Sequence, residues 1–244
     1  MRDSTLLALI GTARDGRASV RAIDLGSGDE HLINPADDRT PLGRAAAYAA
    51  RRDRSETIEL DGRSWFLEVH NPALDLRIVG AVHIGQSLAR FAAVAGYRVT
   101  VIDPRETFAT RERFPDVVLC CDWPDAALAD IPLGPRSALV VLSHDPKIDD
   151  PALKVAMRTS CFYIGALGSR KSHAGRLDRL GREGFAESDL ARIHGPVGLA
   201  IGARTPAEIA ISILAEMTLR LRADGGWEHS SARATADTGA APRS

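Results

Sequence analysis

The chain has 244 residues, 45% apolar and 26% charged, and its 31 lysines and arginines nearly balance 32 aspartates and glutamates for a formal net charge of -1. One or two globular domains fit that length, and the composition excludes fibrous and disordered classes. A global basic footprint for nucleic acid is absent, no apolar run reaches the roughly 20 residues of a membrane span, and Met1-Arg2-Asp3 leads into no cleavable apolar segment, so a cytoplasmic protein is expected.

Up to about Leu74, short apolar segments at Leu6 to Ile10, Val20 to Leu25, Ile58 to Leu60 and Trp65 to Val69 alternate with turn signals such as Ser27-Gly28-Asp29 and Asp61-Gly62. They read as strands of a small antiparallel unit. Thr40-Pro41 has the form of an N-cap with proline at the first helical position, opening a helix through Ala45 to Ala50. Asn71-Pro72 then breaks the chain, and a small α+β N-terminal unit over residues 1–74 is expected.

From Leu76 the rhythm becomes strand and helix in alternation. Strands are predicted at Arg77 to Gly80, Tyr97 to Ile102, Val117 to Cys120, Ala138 to Leu142 and Cys161 to Ile164, and Ile84, Leu88, Phe91, Ala92 and Ala95 recur at helical spacing after the first. Crossovers of this length argue for an α/β fold, a doubly wound parallel sheet over residues 75–222. Thr205-Pro206-Ala207-Glu208 forms a capping box before a final helix that is apolar on more than one face, which predicts deep burial or half of an oligomer interface. The last 22 residues, 223–244, contain no Leu, Ile, Val, Phe or Met and are expected to be a disordered tail.

Four stretches carry candidate chemistry. Gly80-Ala81-Val82-His83-Ile84-Gly85 lies between a strand and a helix, with Asp103 at the end of the next strand, a spacing that matches the dinucleotide-binding fingerprint. In that fingerprint the helix N-terminus holds a pyrophosphate and the acid accepts from a ribose hydroxyl. Val82 occupies the position where a second glycine normally lets the ligand approach, which weakens the case for NAD(P) in the usual pose. An ordinary dinucleotide, a different or displaced anion, and a purely structural turn all remain open here, and His83 reads either as facing that crevice or as an exposed first-turn residue. Ser143-His144-Asp145 follows a predicted strand, where ligands bind in open parallel sheets. Adjacent residues on one turn cannot form a hydrolytic triad, so the choice is between ligand contact and an N-cap with its turn. Gly165-Ala166-Leu167-Gly168-Ser169-Arg170-Lys171-Ser172 has no glycine where a phosphate loop needs one, at Arg170, yet puts two glycines, a hydroxyl and two cations at a helix start. Cations there oppose the helix dipole, which predicts either a bound anion or an exposed basic turn. His194 to Arg204, with Gly195, Pro196, Gly198 and Gly202, reads as an irregular loop that either lines a site or simply packs.

Cys120, Cys121 and Cys161 are odd in number and lack C-x-x-C spacing, so neither a disulfide framework nor a zinc finger is indicated, and small buried hydrophobes are their expected role.

Taken together and in this order, the GAVHIG turn, Val99 to Arg105, Arg113-Phe114-Pro115, the S-H-D strand end, Tyr163 to Arg170 and His194 to Glu216 resemble the xanthine dehydrogenase accessory protein family, XdhC/CoxI, over about residues 74–222. The resemblance implies a Rossmann-like domain in a protein that binds molybdenum cofactor (molybdopterin), shields it while a cysteine desulfurase supplies sulfur, and delivers it to a molybdenum hydroxylase apoenzyme of the xanthine dehydrogenase or aerobic carbon monoxide dehydrogenase type. A homodimer is the expected assembly. The expected cofactor-binding residues are Gly80, His83, Gly85, Asp103, Arg105, Ser143, His144, Asp145, Gly165, Gly168, Ser169, Arg170, Lys171, Gly198 and Gly202, with no catalytic set. Longer family members carry a glycine-glycine-cysteine-x-glutamate stretch that does not occur in this sequence, and no cysteine is assigned to molybdenum or sulfur. The alternatives are an NAD(P)-dependent oxidoreductase built on Gly80 to Gly85 and Asp103, and a nucleotide-sensing interaction module.

Overall fold

A computed structural model of the chain describes residues 3–222, so the tail predicted over 223–244 lies outside the described residues. Leu6 to Ile10, expected as a strand, instead lies within helix α1 (Asp3–Arg14), of which only Leu9 is buried. A five-residue apolar run does not by itself distinguish strand from helix, and Leu6, Leu7, Ala8 and Leu9 within it are good helix formers. Then come β1 (Ser19–Asp24), β2 (Glu30–Ile33), α2 (Pro41–Arg51), β3 (Glu56–Leu60) and β4 (Arg63–His70), whose strands pair antiparallel in the order β2-β1-β4-β3. The short β2 escapes a reading of the sequence because only Leu32 and Ile33 are apolar; pairing with β1 defines it. Asp61 and Gly62 both take positive φ, 52° and 73°, as a two-residue hairpin between β3 and β4 requires. The hydroxyl of Thr40 accepts from the Gly43 N–H at 3.0 Å with Pro41 at the helix start, and α2 lays Ala46 and Ala49 on Val20, Ala22 and Leu67.

The remaining elements are β5 (Leu74–Val79), α3 (His83–Val94), β6 (Tyr97–Ile102), β7 (Val118–Cys120), α4 (Pro124–Asp130), β8 (Ser137–Val141), α5 (Pro146–Met157), β9 (Tyr163–Ala166), α6 (Arg170–Arg182), α7 (Glu187–Leu190), β10 (Ile193–His194) and α8 (Pro206–Arg222). The six strands are parallel in the order β10-β9-β8-β5-β6-β7, a Rossmann-type sheet whose order reverses between β5 and β8. Helices on both faces bury it: α3 and α8 cover one side through Leu88, Ala92, Ala210, Ile213 and Met217, and the other side packs Leu128, Leu153 and Leu180 from α4, α5 and α6. That two-sided burial explains why β8 is apolar throughout its last four residues. The predicted capping box is formed: Glu208 accepts from the N–H groups of Arg204 and Thr205 at 2.8 and 3.0 Å, and Thr205 accepts from the Glu208 N–H at 3.2 Å.

Asp53 ties the small sheet to the large one. It pairs with Arg136 at 3.0 Å and Arg222 at 2.7 Å and accepts a short hydrogen bond from Asn71. Burial alone would raise its pKa, but these partners outweigh burial and hold the carboxyl below its usual value.

At the switch point the backbones of two strand ends touch. A Cβ on Gly80 would lie 2.7 Å from the Ser143 nitrogen, and Gly80 holds φ +104°, a conformation side chains rarely adopt. Gly80→Ala is therefore expected to destabilise the protein by about 2 kcal/mol or more, read as a lowered urea midpoint.

Candidate functional site at the carboxyl edge of the parallel sheet

The glycine turn after β5 is held from within. Asp103, fully buried, accepts from the Ala81 N–H at 2.7 Å, from the Arg105 N–H at 3.0 Å and from the Arg105 guanidinium at 2.8 and 2.7 Å. Burial pushes its pKa up, but Arg105 and the Ala81 N–H outweigh that and leave the carboxyl below its usual value. The acid that would accept from a ribose hydroxyl in a dinucleotide site is thus engaged internally: it orders the turn and aims Arg105. The Val82 N–H donates to the Gly80 carbonyl at 2.9 Å, and the Val82 side chain is the uncapped start of α3, packed on the core. Two of the N–H groups of this turn are therefore spent on the protein itself. Gly85 packs α3 on β5, since a Cβ there would come 3.0 Å from the Gly80 carbonyl oxygen, while His83 is exposed on the first helical turn. Arg105 lies over the Phe108 ring at 4.4 Å and feels the charges of Asp145 and Asp149 as well as that of Asp103, which places it facing the loop after β8.

In that loop the three polar residues divide their tasks. The Ser143 hydroxyl donates to Asp149 at 2.6 Å and accepts from the Asp145 N–H at 3.1 Å, and Asp145 caps α5 by accepting from the Lys147 N–H at 2.9 Å. Ser143 and Asp145 thus form the turn and N-cap. His144 alone points outward, exposed, in the left-handed region at φ +62° where non-glycine residues are uncommon.

His144 and Pro146 line one side of a cleft of about 410 Å³ between α5 and α6, together with Asp149 and Asp150. The facing wall is Lys171, Ser172, Arg176 and Arg179 of α6. Ser169 caps this helix by accepting from the Ser172 N–H at 3.1 Å, and Gly168, at φ +144°, turns the chain into it. Arg179 grips Asp150 with two bonds of 3.0 and 3.1 Å. Arg176 is only 5% exposed; it donates to the Leu167 carbonyl at 2.9 Å and stands 3.8 Å from Asp149. Its Nε and Nη1 have no hydrogen-bond partner among the described residues. Burial draws its pKa down against the raising effect of Asp149. Of the expected residues, His144 and Lys171 line the cleft, whereas Arg170 is exposed and does not.

Arg176, Arg179, Asp149 and Asp150 are not among the residues expected from the sequence. A signal exists there: Ser172 and Arg176, and Lys171, Gly175 and Arg179, recur at four-residue steps, which puts them on one face of a helix that opens from a glycine-rich turn.

The loop after β10 is pinned apart from this cleft. Glu216 of α8 accepts from the Tyr163 hydroxyl at 2.5 Å and the Gly198 N–H at 2.8 Å and pairs with His194 at 3.4 Å, while the His194 and Tyr163 rings stack at 4.9 Å. Burial acts to raise the Glu216 pKa; His194, Tyr163 and the Gly198 N–H outweigh it and hold it at about 2. Gly165 and Gly198 serve packing here, because a Cβ on Gly165 would meet Val197 at 2.6 Å and Gly198, at φ +94°, presses on Ser212; Gly202 is a turn at φ +77° with open space around it. Cys161 is buried and Cys120 partly so, and burial raises both thiols, but Cys121 is exposed, contrary to the expectation of a buried hydrophobe. A three-residue edge strand ending at Cys120 leaves Cys121 outside the sheet. Among the described residues no group of three or more His, Cys, Asp or Glu is placed to hold a metal, and no helix is long and apolar enough to cross a membrane.

The fold and the carboxyl-edge motifs define a Rossmann-type domain. The family model described as the XdhC Rossmann domain matches residues 76–217, and the chain belongs to this family. It is 33% identical to the uncharacterized protein YqeB of Escherichia coli over 228 residues, 90% of this chain and 40% of that protein. It is 33% identical to a probable xanthine dehydrogenase subunit of Bacillus subtilis, covering 62% of this chain and 44% of that one. It is also 31% identical to the molybdenum cofactor insertion chaperone PaoD of Escherichia coli, covering 60% and 40%. The chain thus spans less than half the length of these relatives. A crystal structure of a xanthine dehydrogenase from Bacillus halodurans superposes with a TM-score of 0.68 at 22% identity, over 90% of this chain and 67% of that one, and shares the fold.

Because Glu216 is held at about 2 against an ordinary 4.5, its stabilising effect is complete above pH 4.5 and is lost as the pH falls from there towards 2. Glu216→Gln is expected to cost on the order of 3 kcal/mol at pH 7 and to flatten the acid limb of stability between about pH 5 and 2, measured by urea unfolding across that range.

Proposed function

We propose that this chain is a cofactor-handling accessory protein: it binds molybdenum cofactor, protects it, and passes it to the apoenzyme of a molybdenum hydroxylase. The family relationship supports the reading, and the structural observation that carries it is a cation-lined cleft at the carboxyl edge of the sheet in which a buried guanidinium keeps two nitrogens unpartnered. The cofactor is cargo, and its metal-centred redox chemistry is exercised in the client enzyme. This chain's own residues fit the cargo's anionic groups: Lys171, Arg176 and the start of α6 meet negative charge with cations and N–H dipoles, whereas Arg105 is paired with Asp103 and lies outside the cleft. Ser143 and Asp145 act by holding His144 outward, and Asp103 by holding Arg105. Sulfur supply by a cysteine desulfurase and a homodimeric assembly belong to the same proposal. An NAD(P)-dependent oxidoreductase is the weaker reading, because the Ala81 and Val82 N–H groups and the Asp103 carboxylate are already bound within the protein.

Full-length protein mixed anaerobically with molybdenum cofactor is expected to carry it through gel filtration, and the same protein to show no saturable fluorescence change with NADH. Folded protein that elutes without cofactor, or that saturates with NADH, would overturn the proposal.

A further inference from the structure

We propose that the cleft between α5 and α6 is a phosphate-monoester site with Arg176 as its buried anchor, so that an anionic ligand seats beside β8 and β9 and away from the glycine turn after β5. Only the identity of the natural ligand rests on the cofactor-handling reading; the site itself rests on the following geometry.

Arg176 is the informative residue. Withdrawing a guanidinium from water is unfavourable unless hydrogen bonds replace the lost hydration. Here one nitrogen has the Leu167 carbonyl, but the nearest carboxylate oxygen, on Asp149, is 3.8 Å away, beyond hydrogen-bond range. That Asp149 oxygen is itself unpartnered, as are Nε and Nη1 of the arginine. Arg176 lines the cleft while its Nε and Nη1 are buried without acceptors, so a small shift of the wall that admits an acceptor from the cleft satisfies them. A phosphate suits them, since it presents several oxygens to a guanidinium fork.

The surroundings favour an anion over a neutral acceptor. Arg179 is neutralised by its two bonds to Asp150, whereas Lys171 makes no ion pair among the described residues and lines the same wall as Arg176. Burial pushes the Asp149 carboxyl above its usual value, with Ser143 and Arg176 opposing. Lys171 and Ser172 bring one end of the cleft to the first turn of α6, where the helix dipole adds to the attraction. Glycines keep the approach clear: a Cβ on Gly168 would sit 3.2 Å from Ser172 and 3.9 Å from Arg176, and Gly175 contributes no side chain to the wall. The turn after β5 offers less, because Asp103 and Gly80 already hold its first N–H groups.

Calorimetric titration of the full chain with inorganic phosphate and with pyrophosphate tests the site directly. Saturable binding is expected, weakened about tenfold or more in Arg176→Gln and about threefold in Lys171→Ala, with Arg170→Ala unchanged because that side chain lies outside the cleft. Absence of saturable binding to the wild type, or equal affinity in a folded Arg176→Gln protein, would overturn the proposal. If Arg176→Gln does not fold, Lys171→Ala decides, and unchanged affinity there would likewise overturn it. Anaerobic retention of molybdenum cofactor by the same variants separates the two proposals. Pyrophosphate binding lost in Arg176→Gln while the wild type retains no cofactor supports the cleft and removes the cofactor reading. Cofactor retained equally by wild type and a folded Arg176→Gln protein that binds no less pyrophosphate keeps the cofactor reading and removes the cleft.

Discussion

The buried carboxylate of Asp103 is the interaction on which the carboxyl edge of the sheet depends. It joins the end of β5 to the end of β6 by accepting simultaneously from the Ala81 N–H, the Arg105 N–H and the Arg105 guanidinium. A buried charge is tolerable only when its acceptor sites are filled, and filling them from within fixes both the turn and the direction of Arg105. Close packing does the rest: Gly80 is pressed against Ser143 across the switch point, so the ends of β5, β6 and β8 form one rigid corner. The place where a Rossmann fold ordinarily admits a pyrophosphate is thereby occupied by the protein's own hydrogen bonds.

The loops after β8 and β9 behave differently. Ser143 and Asp145 satisfy each other and the start of α5, which leaves His144 in a left-handed conformation at the mouth of the cleft. Across from it, α6 buries Arg176 without completing its hydrogen bonds. The contrast with Glu216 is instructive. That carboxylate is also buried, yet its partners Tyr163, His194 and Gly198 satisfy it, and the loop it holds is a packed connection. Two buried charges lie near the same sheet edge; the satisfied one stabilises the fold, and the incompletely satisfied one marks the cleft as a place for a ligand.

Much of this architecture is legible in the chain because its signals are local. Five of the six strands of the parallel sheet, the caps at Thr40 and Thr205 and the Asp61-Gly62 turn appear where periodicity and capping chemistry put them, whereas the two-residue β10 is too short to show a period. The misreadings have the same origin: the Leu6 to Ile10 run has no period long enough to separate helix from strand, and β2 owes its existence to pairing with β1. At the candidate site, His144 and Lys171 are legible because they follow predicted strands, while Arg176, Arg179, Asp149 and Asp150 lie within helices α5 and α6, where they look like ordinary polar faces.

The sequence by itself determined a Rossmann-like sheet, its family, and a set of polar turns at strand ends, because dihedral preferences, capping and apolar periodicity act over a few residues. Only the tertiary structure decided which of those turns are spent on the protein and which face a cleft. That choice depends on contacts between residues far apart in the chain: Asp103 reaching Ala81, Arg179 reaching Asp150, and Arg176 stopping 3.8 Å short of Asp149.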